Sequence, residues 1–300
     1  MQLPKSMLTP IQRLIISGLF VAGSIVGLAN AQNRDNALLY ELTGPGITKP
    51  SYLYGTFHLV CPTDLNITDA TKKAIDSTQQ VYLELDMDDP ALMQGMMKAM
   101  TMTDGKNLKG LLKPDDYTVL DNYLKQKLNM NLAQMSTMKP VALLSLLYMT
   151  VLPCQPASYD LTFAQMAAKD KKEVLGLETL DAQLAALNKI PVQEQLKGLV
   201  EMARKPEQAK KEFNDLLTAY KAHDLTKMMA MMKTSQFGGG DIAQFEDSLL
   251  GERNANWISV IEKAAKEKPT FFAFGAGHLG NAKGVVNLLR KKGYTVKAVE

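Results

Sequence analysis

Two phrases of the sequence each join an apolar run to a glycine turn and a histidine. The first runs from Tyr52-Leu53-Tyr54 into Gly55-Thr56-Phe57-His58, and the second from Phe271-Phe272-Ala273-Phe274 into Gly275-Ala276-Gly277-His278. Such a run is typical of a buried strand, and in open α/β sheets ligands collect at the carboxyl ends of the strands. The chain has 3 histidines in total. Two of them placed in this way predict one site built from both ends of the chain.

Strand patterns occur near both ends of the chain, and helical patterns fill the middle. Asp89-Pro90 is a typical helix start, with Asp as N-cap and Pro at the first helical position. The fold class predicted is α/β, with a central sheet formed by the N- and C-terminal halves and a large helical insertion at about 89–266. The strands are expected at 51–57, 80–85, 173–177, 269–274 and 294–299, the flanking helices at 68–76 and 281–292, and helix starts or breaks at Pro114, Pro140, Pro191 and Pro206.

The first 31 residues have the features of a secretory signal peptide. Lys5 and Arg13 precede an apolar stretch from Leu14 to Leu28, and Ala29-Asn30-Ala31 fits the small-x-small cleavage rule. The stretch is shorter than the roughly 20 residues that span a bilayer. Cleavage after Ala31 therefore predicts a periplasmic or secreted protein whose single α/β domain occupies residues 32–300.

The charge balance predicts the partners only by exclusion. The formal net charge is +3, and loss of residues 1–31 removes two cations and no acid. A nearly neutral chain has no general attraction to nucleic acid or to anionic lipid. No later segment is long and apolar enough to span a bilayer, so no stable membrane insertion is expected after cleavage. The oligomeric state is not determined by the sequence.

Two cysteines, Cys61 and Cys154, remain in an oxidising compartment. A disulfide between them is the interpretation that the sequence favours, because two lone cysteines in an exported protein usually pair. A thiolate metal ligand or a catalytic nucleophile are the alternatives, since Cys61 is close to His58 in the sequence.

Glu84 adds a third group to the two histidines. It lies at the carboxyl end of the second predicted strand, in Leu83-Glu84-Leu85-Asp86. If the strands are neighbours, His58, Glu84 and His278 meet at one edge of the sheet. Two imidazoles and a carboxylate form a familiar open metal site. The HExxH helix of the zincins is absent from the sequence.

The chain resembles the TraB/GumN family, which includes the Tiki proteins. The motifs that carry the resemblance follow one another in the family's order from residue 52 to the carboxyl terminus. They are Tyr52-Leu53-Tyr54-Gly55-Thr56-Phe57-His58, Val81-Tyr82-Leu83-Glu84-Leu85-Asp86, Gly176-Leu177-Glu178-Thr179, Arg253-Asn254-Ala255-Asn256-Trp257 and Phe274-Gly275-Ala276-Gly277-His278-Leu279-Gly280.

The resemblance implies an erythromycin-esterase-like or ChaN-like fold and a metal-dependent peptidase that acts on peptides or unfolded proteins. The family's two GxxH histidines carry over to His58 and His278, and its acidic residue to Glu84. The expected cofactor is a divalent metal such as manganese, cobalt or zinc, with the neutral imidazoles as ligands. Glu84 is either a third ligand or the general base. Glu178 and Arg253 match further motif positions.

Several of these residues have a simpler interpretation beside the functional one. Arg253 either stabilises an oxyanion, grips a substrate carboxylate, or is an ordinary ion-paired arginine. Asn254 is expected to cap the helix that follows it. Glu178 either holds one of the site residues in place without contacting the metal, or caps the helix after Leu177. His223 has no strand or glycine around it and is expected to be exposed.

Methionines form two clusters, and the interpretation we favour is flexible apolar packing. Copper(I) binding and an adaptable peptide groove are the alternatives. The clusters are Met93, Met96, Met97 and Met100, and Met228, Met229, Met231 and Met232.

For the whole chain, the alternatives to a metallopeptidase are a non-catalytic binding protein and a metal or haem carrier on the same scaffold.

Overall fold

A computed structural model describes residues 36–103, 105–235, 237 and 245–299. The predicted signal peptide lies outside these residues, and the division at residue 31 stays a prediction. The strands are β1 Leu39–Thr43, β2 Ser51–Thr56, β3 Gln80–Leu83, β4 Glu173–Gly176, β5 Thr270–Gly275 and β6 Thr295–Ala298. The helices are α1 Asp69–Asp76, α2 Pro90–Ala99, α3 Leu108–Leu111, α4 Pro114–Leu128, α5 Pro140–Val151, α6 Tyr159–Lys169, α7 Leu180–Leu187, α8 Val192–Arg204, α9 Pro206–Lys221, α10 Leu225–Thr234, α11 Glu252–Glu267 and α12 Val285–Lys291.

The described strands form one sheet of 6 strands in the order β4-β3-β5-β2-β1-β6. β4, β3, β5 and β2 run parallel to one another, and β1 is antiparallel to both of its neighbours. Every residue of β5 is buried, as expected for a central parallel strand that is covered on both faces. The predicted α/β fold with a helical insertion is confirmed.

The register of the four parallel strands aligns their carboxyl ends. Thr56 at the end of β2 pairs with Gly275 at the end of β5, and Leu83 at the end of β3 pairs with Gly176 at the end of β4. β3 and β5 are also paired. The segments that follow these strands therefore emerge side by side at one edge of the sheet.

The ends of the chain differ from the sequence prediction in two places. β1 lies between β2 and β6 and is not among the strands expected from the sequence. The predicted helix at 281–292 begins only at Val285, because Asn281 has a left-handed φ of 64° and the chain turns before the helix. β6 follows α12 as predicted, but two strands separate it from β5.

Proline starts the inserted helices as the sequence indicates. Pro114, Pro140 and Pro206 occupy the first turns of α4, α5 and α9, where the missing N–H costs no hydrogen bond. Pro191 is the N-cap of α8. In the described part of the chain, no helix is long and apolar enough to cross a membrane.

The two methionine clusters differ in their surroundings. Met228 and Met229 on α10 are buried in the core, as the packing interpretation expects. That interpretation is wrong for α2, on which no residue is buried and the exposed fractions of Met93 and Met97 are 68% and 67%. The helix rests on the body of the protein through its other face and leaves these thioethers in solvent.

The predicted disulfide between Cys61 and Cys154 is confirmed. Beside it, Val60 and Ala157 exchange two backbone hydrogen bonds, with N···O distances of 3.0 and 2.7 Å. The loop after β2 is therefore joined to the segment before α6, although 93 residues separate the two cysteines.

We expect the double variant Cys61→Ala/Cys154→Ala to lose about 4–5 kcal/mol of unfolding free energy, the chain-entropy value for a loop of roughly this length. Urea unfolding monitored by circular dichroism measures the loss. A thiol reductant should produce the same loss in the wild-type protein and none in the variant. An equal midpoint for the two oxidised proteins would contradict the expectation.

Candidate metal centre

Each of the four parallel strands delivers one side chain to the same edge of the sheet. Glu84 follows β3 directly, while His58 and Glu178 lie two residues beyond β2 and β4. His278 ends a short 3₁₀ turn, Ala276–His278, that follows β5. The sheet thus brings together the two histidines and the glutamate that the sequence placed at strand ends.

Glu84 lies between the two imidazoles. Its Oε1 is 3.8 Å from His58 Nε2 and 3.9 Å from His278 Nε2. Its side chain is 10% exposed, that of His278 5% and that of His58 64%. Across the described residues, no three histidine, cysteine or acidic side chains stand close enough together to hold a metal ion as they lie. The two imidazoles and Glu84 are neighbours, at distances longer than those of a ligand cluster.

The protonation of His278 follows from its partners. Arg253 Nη1 lies 3.2 Å from His278 Nε2, and a guanidinium only donates, so Nε2 is the acceptor. His278 Nδ1 therefore carries the proton and donates to Asn254 Oδ1 at 2.6 Å. Asn254 Nδ2 donates in turn to the carbonyl of Lys283 at 2.9 Å. In this neutral Nδ1–H tautomer the Nε2 lone pair accepts from Arg253, so a metal ion at Nε2 would have to displace that donor.

The ring of His58, like that of His278, has its Nδ1 beside a side-chain oxygen. Its Nδ1 lies 3.3 Å from Asp160 Oδ2, and a carboxylate accepts, so Nδ1–H is the donor. Its Nε2 then faces Glu84. Metal-binding histidines characteristically donate the outer ring N–H to a carboxylate or carbonyl in this way.

Arg253 holds the two glutamates together. Its Nη2 donates to Glu84 Oε2 at 2.6 Å and to Glu178 Oε1 at 2.5 Å, and its Nη1 also donates to the carbonyl of Leu249 at 2.9 Å. That carbonyl belongs to a π-helical turn, Asp247–Gly251, which runs into α11. Of the interpretations that the sequence left open, the structure places Arg253 in buried ion pairs.

Glu178 and Asn254 do not cap helices. Glu178 accepts from Arg253 and from the indole N–H of Trp257 at 3.2 Å, and Thr179 is the residue that caps α7. Asn254 lies inside α11 rather than before it, and its side chain is turned to His278. The predicted capping role of Asn254 is therefore wrong. A cap needs a position before the first turn, and the helix begins two residues earlier.

The site separates the charge states of its two histidines. Burial lowers the pKa of His278 to about 3, helped by the charge of Arg253. For His58, desolvation lowers the pKa, but the hydrogen bond to Asp160 and the charge of Glu84 outweigh it and raise the pKa to about 9. Burial would raise the pKa of Glu84, but His278, His58 and Arg253 lower it to about 2. In the metal-free protein at neutral pH, His278 is thus neutral and His58 is cationic.

Gly275, the glycine of the second GxxH motif, keeps a space open between the ligand candidates. A Cβ at this position would stand 3.2 Å from His58 Nε2 and 3.3 Å from Glu84 Oε1. Gly55, the glycine of the first motif, has another role. A Cβ there would meet Leu279 Cδ1 at 2.4 Å and Ala276 Cα at 3.0 Å, so this glycine lets the second motif pack on β2.

A cleft of about 620 Å³ opens beside Glu178. α2, which carries the exposed methionines, forms one wall, and the end of β4 forms another. Its lining is apolar with acidic positions between, and includes Leu85, Asp86, Leu92, Leu175, Leu180 and Asp181.

Sequence reasoning missed two side chains of the site. Asp160 lies in the first turn of α6. Gln183 lies on α7, and its Nε2 donates to Glu84 Oε2 with a distance of 3.1 Å between the two atoms. Neither residue follows a strand, so no strand-end pattern points to it. His223, the remaining histidine, is exposed as expected.

These features define a class of protein: a mixed α/β fold whose parallel strand ends carry a His–Glu–His cluster, with each outer histidine nitrogen anchored by a side-chain oxygen. The model of the TraB/PrgY/gumN family matches residues 38–298. The chain belongs to this family, as the motif order indicated.

Within the aligned segments, curated relatives are about one quarter identical to this chain. Metalloprotease TIKI2 of Xenopus tropicalis is 26% identical over 90% of this chain and 61% of its own length. Metalloprotease TIKI2 of Danio rerio is 25% identical over 89% of this chain and 62% of its own length. Metalloprotease TIKI1 of Homo sapiens is 25% identical over 83% of this chain and 59% of its own length. The chain thus spans about three fifths of the length of these relatives. No solved structure matches it.

The pKa of His278 leads to an acid-sensitivity test. Because its pKa of about 3 in the folded protein lies below the ordinary 6.5, it contributes stability that is present above pH 6.5 and lost as the pH falls toward 3. The pKa of His58 is raised to about 9, so His58 contributes stability that is full below pH 6.5 and is lost as the pH rises to 9. The pKa of Glu84 is lowered from 4.5 to about 2, so Glu84 loses its contribution to stability only below pH 4.5.

Between pH 6.5 and 4.5, we therefore expect wild type to lose up to about 1.4 kcal/mol per pH unit relative to His278→Gln. Urea unfolding in chelator at several pH values measures this difference, and subtraction cancels the titrating groups that lie away from His278. His223→Gln is the matched control and should follow wild type. Parallel curves for wild type and His278→Gln would contradict the assigned charge state.

Proposed function

We propose that this chain is an exported, divalent-metal-dependent peptidase whose metal is held by His58, His278 and Glu84. The observation that carries the proposal is the shared arrangement of the two imidazoles. Each has its outer nitrogen bound to a side-chain oxygen and its Nε2 within 3.9 Å of the same carboxylate oxygen. The relatives that bear the name metalloprotease support the same conclusion.

The donor set suits manganese, cobalt or zinc. Imidazole nitrogens and a carboxylate oxygen bind all three metals, and Gly275 leaves the space between His58 Nε2 and Glu84 Oε1 free of a side chain. A divalent cation there would supply Lewis-acid polarisation of a peptide carbonyl and would lower the pKa of water. Because His58 is cationic in the metal-free protein, loading the site requires this imidazole to lose a proton.

Between the two roles open to Glu84, the structure favours that of ligand over that of general base. Its pKa of about 2 makes it a weak base at neutral pH. Both of its oxygens also accept hydrogen bonds already, Oε1 from the Gly275 N–H at 2.8 Å and Oε2 from Arg253. These donors fix the carboxylate in place.

Arg253 and Glu178 act behind the ligands in this proposal. The side chain of Arg253 is 12% exposed and that of Glu178 is 7% exposed. The polar atoms of both side chains are hydrogen-bonded to other residues of the site. Arg253 therefore orients Glu84 and stabilises its charged form, and Glu178 in turn orients Arg253. A substrate carboxylate or oxyanion would have to displace these contacts.

A peptide or unfolded segment is the proposed substrate, and the cleft beside Glu178 is the proposed place for its side chains. Export to the periplasm or the exterior is supported by the predicted signal peptide and by the Cys61–Cys154 disulfide. No nucleic-acid partner is proposed.

The metal content of the purified chain tests the site. We expect metal, measured by elemental mass spectrometry after loading with manganese, cobalt or zinc, in wild type and in His223→Ala. The double variant His58→Ala/His278→Ala should bind none. Peptide cleavage, followed by mass spectrometry, should disappear with chelator, return with metal and be absent from the double variant. His223→Ala is the matched control because it removes the remaining histidine at an exposed position.

Equal metal in wild type and the folded double variant would contradict the ligand assignment. Metal that requires both histidines, without cleavage of any peptide in an unbiased library, would contradict the peptidase and leave a metal-binding protein.

The two glycines of the second motif allow a test by size alone. We expect Gly275→Ala to weaken metal binding at least tenfold in calorimetric titrations, because the new methyl would lie against His58 Nε2 and Glu84 Oε1. Gly277→Ala is the matched control, because its Cβ would meet nothing closer than Met232 at 3.7 Å. Equal affinity in the two variants would contradict a site in this space.

A further inference from the structure

We propose that Asp160 is the positioning residue of His58: it selects the Nδ1–H tautomer and turns Nε2 toward Glu84. The inference rests on the proposed metal centre and adds a residue from the helical insertion to it. Asp160 is 102 residues from His58 in the sequence, and nothing in the strand-end motifs points to it.

The environment of His58 makes such a residue necessary. The His278 side chain is 5% exposed and packs on the Trp257 ring with centroids 4.4 Å apart, so its ring has little freedom. The His58 side chain is 64% exposed. Its position depends on the polar contacts at its two nitrogens, of which the one to Asp160, at 3.3 Å, is shorter than the one to Glu84, at 3.8 Å.

The Asp160 carboxylate is itself well fixed. Its side chain is 15% exposed and accepts from the Thr56 hydroxyl, at 3.3 Å to Oδ1. The Ser158 hydroxyl, the N-cap of α6, lies 3.5 Å from Oδ2. The position of Asp160 in the first turn of α6 also suits a negative charge, because the amino end of a helix is electropositive. The carboxylate is thus held by β2, which precedes His58, and by its own helix.

Two links join the backbones that carry the pair. The Cys61–Cys154 disulfide lies three residues beyond His58 and six before Asp160. The two backbone hydrogen bonds between Val60 and Ala157 lie closer still. These links fix the loop after β2 against the start of α6. The backbones that carry the imidazole and the carboxylate are therefore held close together, and the 3.3 Å contact between the two side chains then orients the ring.

Metal affinity of single variants tests the proposal. Titration calorimetry with the metal alone, manganese, cobalt or zinc, should show a roughly 10–100-fold loss for Asp160→Ala, the usual effect of removing a histidine's carboxylate partner. Asp160→Asn should lose less than Asp160→Ala, because its Oδ1 still accepts from Nδ1–H. Asp69→Asn, at a side chain that is 87% exposed, is the matched control and should bind as wild type does. Wild-type affinity in Asp160→Ala would overturn the proposal.

A second readout needs no metal. Nitrogen-15 NMR of the 3 histidine rings reports which nitrogen carries the proton once His58 is neutral, above its pKa of about 9. We expect the Nδ1–H form of His58 in wild type and a shift toward Nε2–H, the form that a neutral histidine side chain favours in water, in Asp160→Ala. His223 should be the same in both proteins. An unchanged His58 tautomer would overturn the proposal, even if the affinity had fallen through a general loss of structure.

The same measurements separate this inference from the proposed function. If wild type binds no metal, the proposed metal centre fails, while the His58 tautomer still decides whether Asp160 positions the ring. If metal binding needs His58 but not Asp160, the metal centre stands and the inference fails.

Discussion

The guanidinium of Arg253 is the group on which the geometry of the site depends. From α11 it reaches Glu84 after β3, Glu178 after β4 and His278 after β5. A buried ion pair adds little net stability, because desolvation offsets the attraction between the charges. Removal of one partner is different, since it leaves a buried charge alone at a cost of about 3–5 kcal/mol. Arg253 thus fixes how three strand ends lie against each other more than it stabilises the fold.

The same guanidinium accounts for the unequal histidines. It lies on the buried side of Glu84, next to His278, and burial together with its positive charge keeps that imidazole neutral. His58 lies on the solvent side, where it faces Asp160 as well as Glu84 and is cationic. One carboxylate therefore stands between a neutral imidazole, whose Nε2 accepts from Arg253, and a cationic imidazole. This difference in charge between the two histidines follows from their burial, because the two motifs that carry them are alike in sequence.

Much of the fold and the three ligand candidates His58, Glu84 and His278 could be predicted from local patterns. Alternation, glycine turns and prolines mark β2, β3, β5 and the inserted helices, since these signals act through neighbouring residues. β1 was missed although its residues are largely buried. Asn254 lies inside its helix although the sequence predicts a cap, because a cap and an interior residue of the first turn differ by only two positions. Asp160 and Gln183 gave no signal, since they enter the site from helices whose docking is set by packing over long sequence distances.

The sequence by itself determined that two strand–glycine–histidine motifs and one strand–glutamate motif exist, and that a disulfide is available to link the first motif to the insertion. Strand order is what makes these motifs one site, and it follows from which apolar faces bury one another across the whole chain. Only the tertiary structure decided that β5 lies between β3 and β2, that Arg253 pairs with both glutamates, and that Asp160 faces His58. Local patterns report on neighbours along the chain, and a site whose two histidines lie 220 residues apart in the sequence depends on the packing that brings distant side chains together.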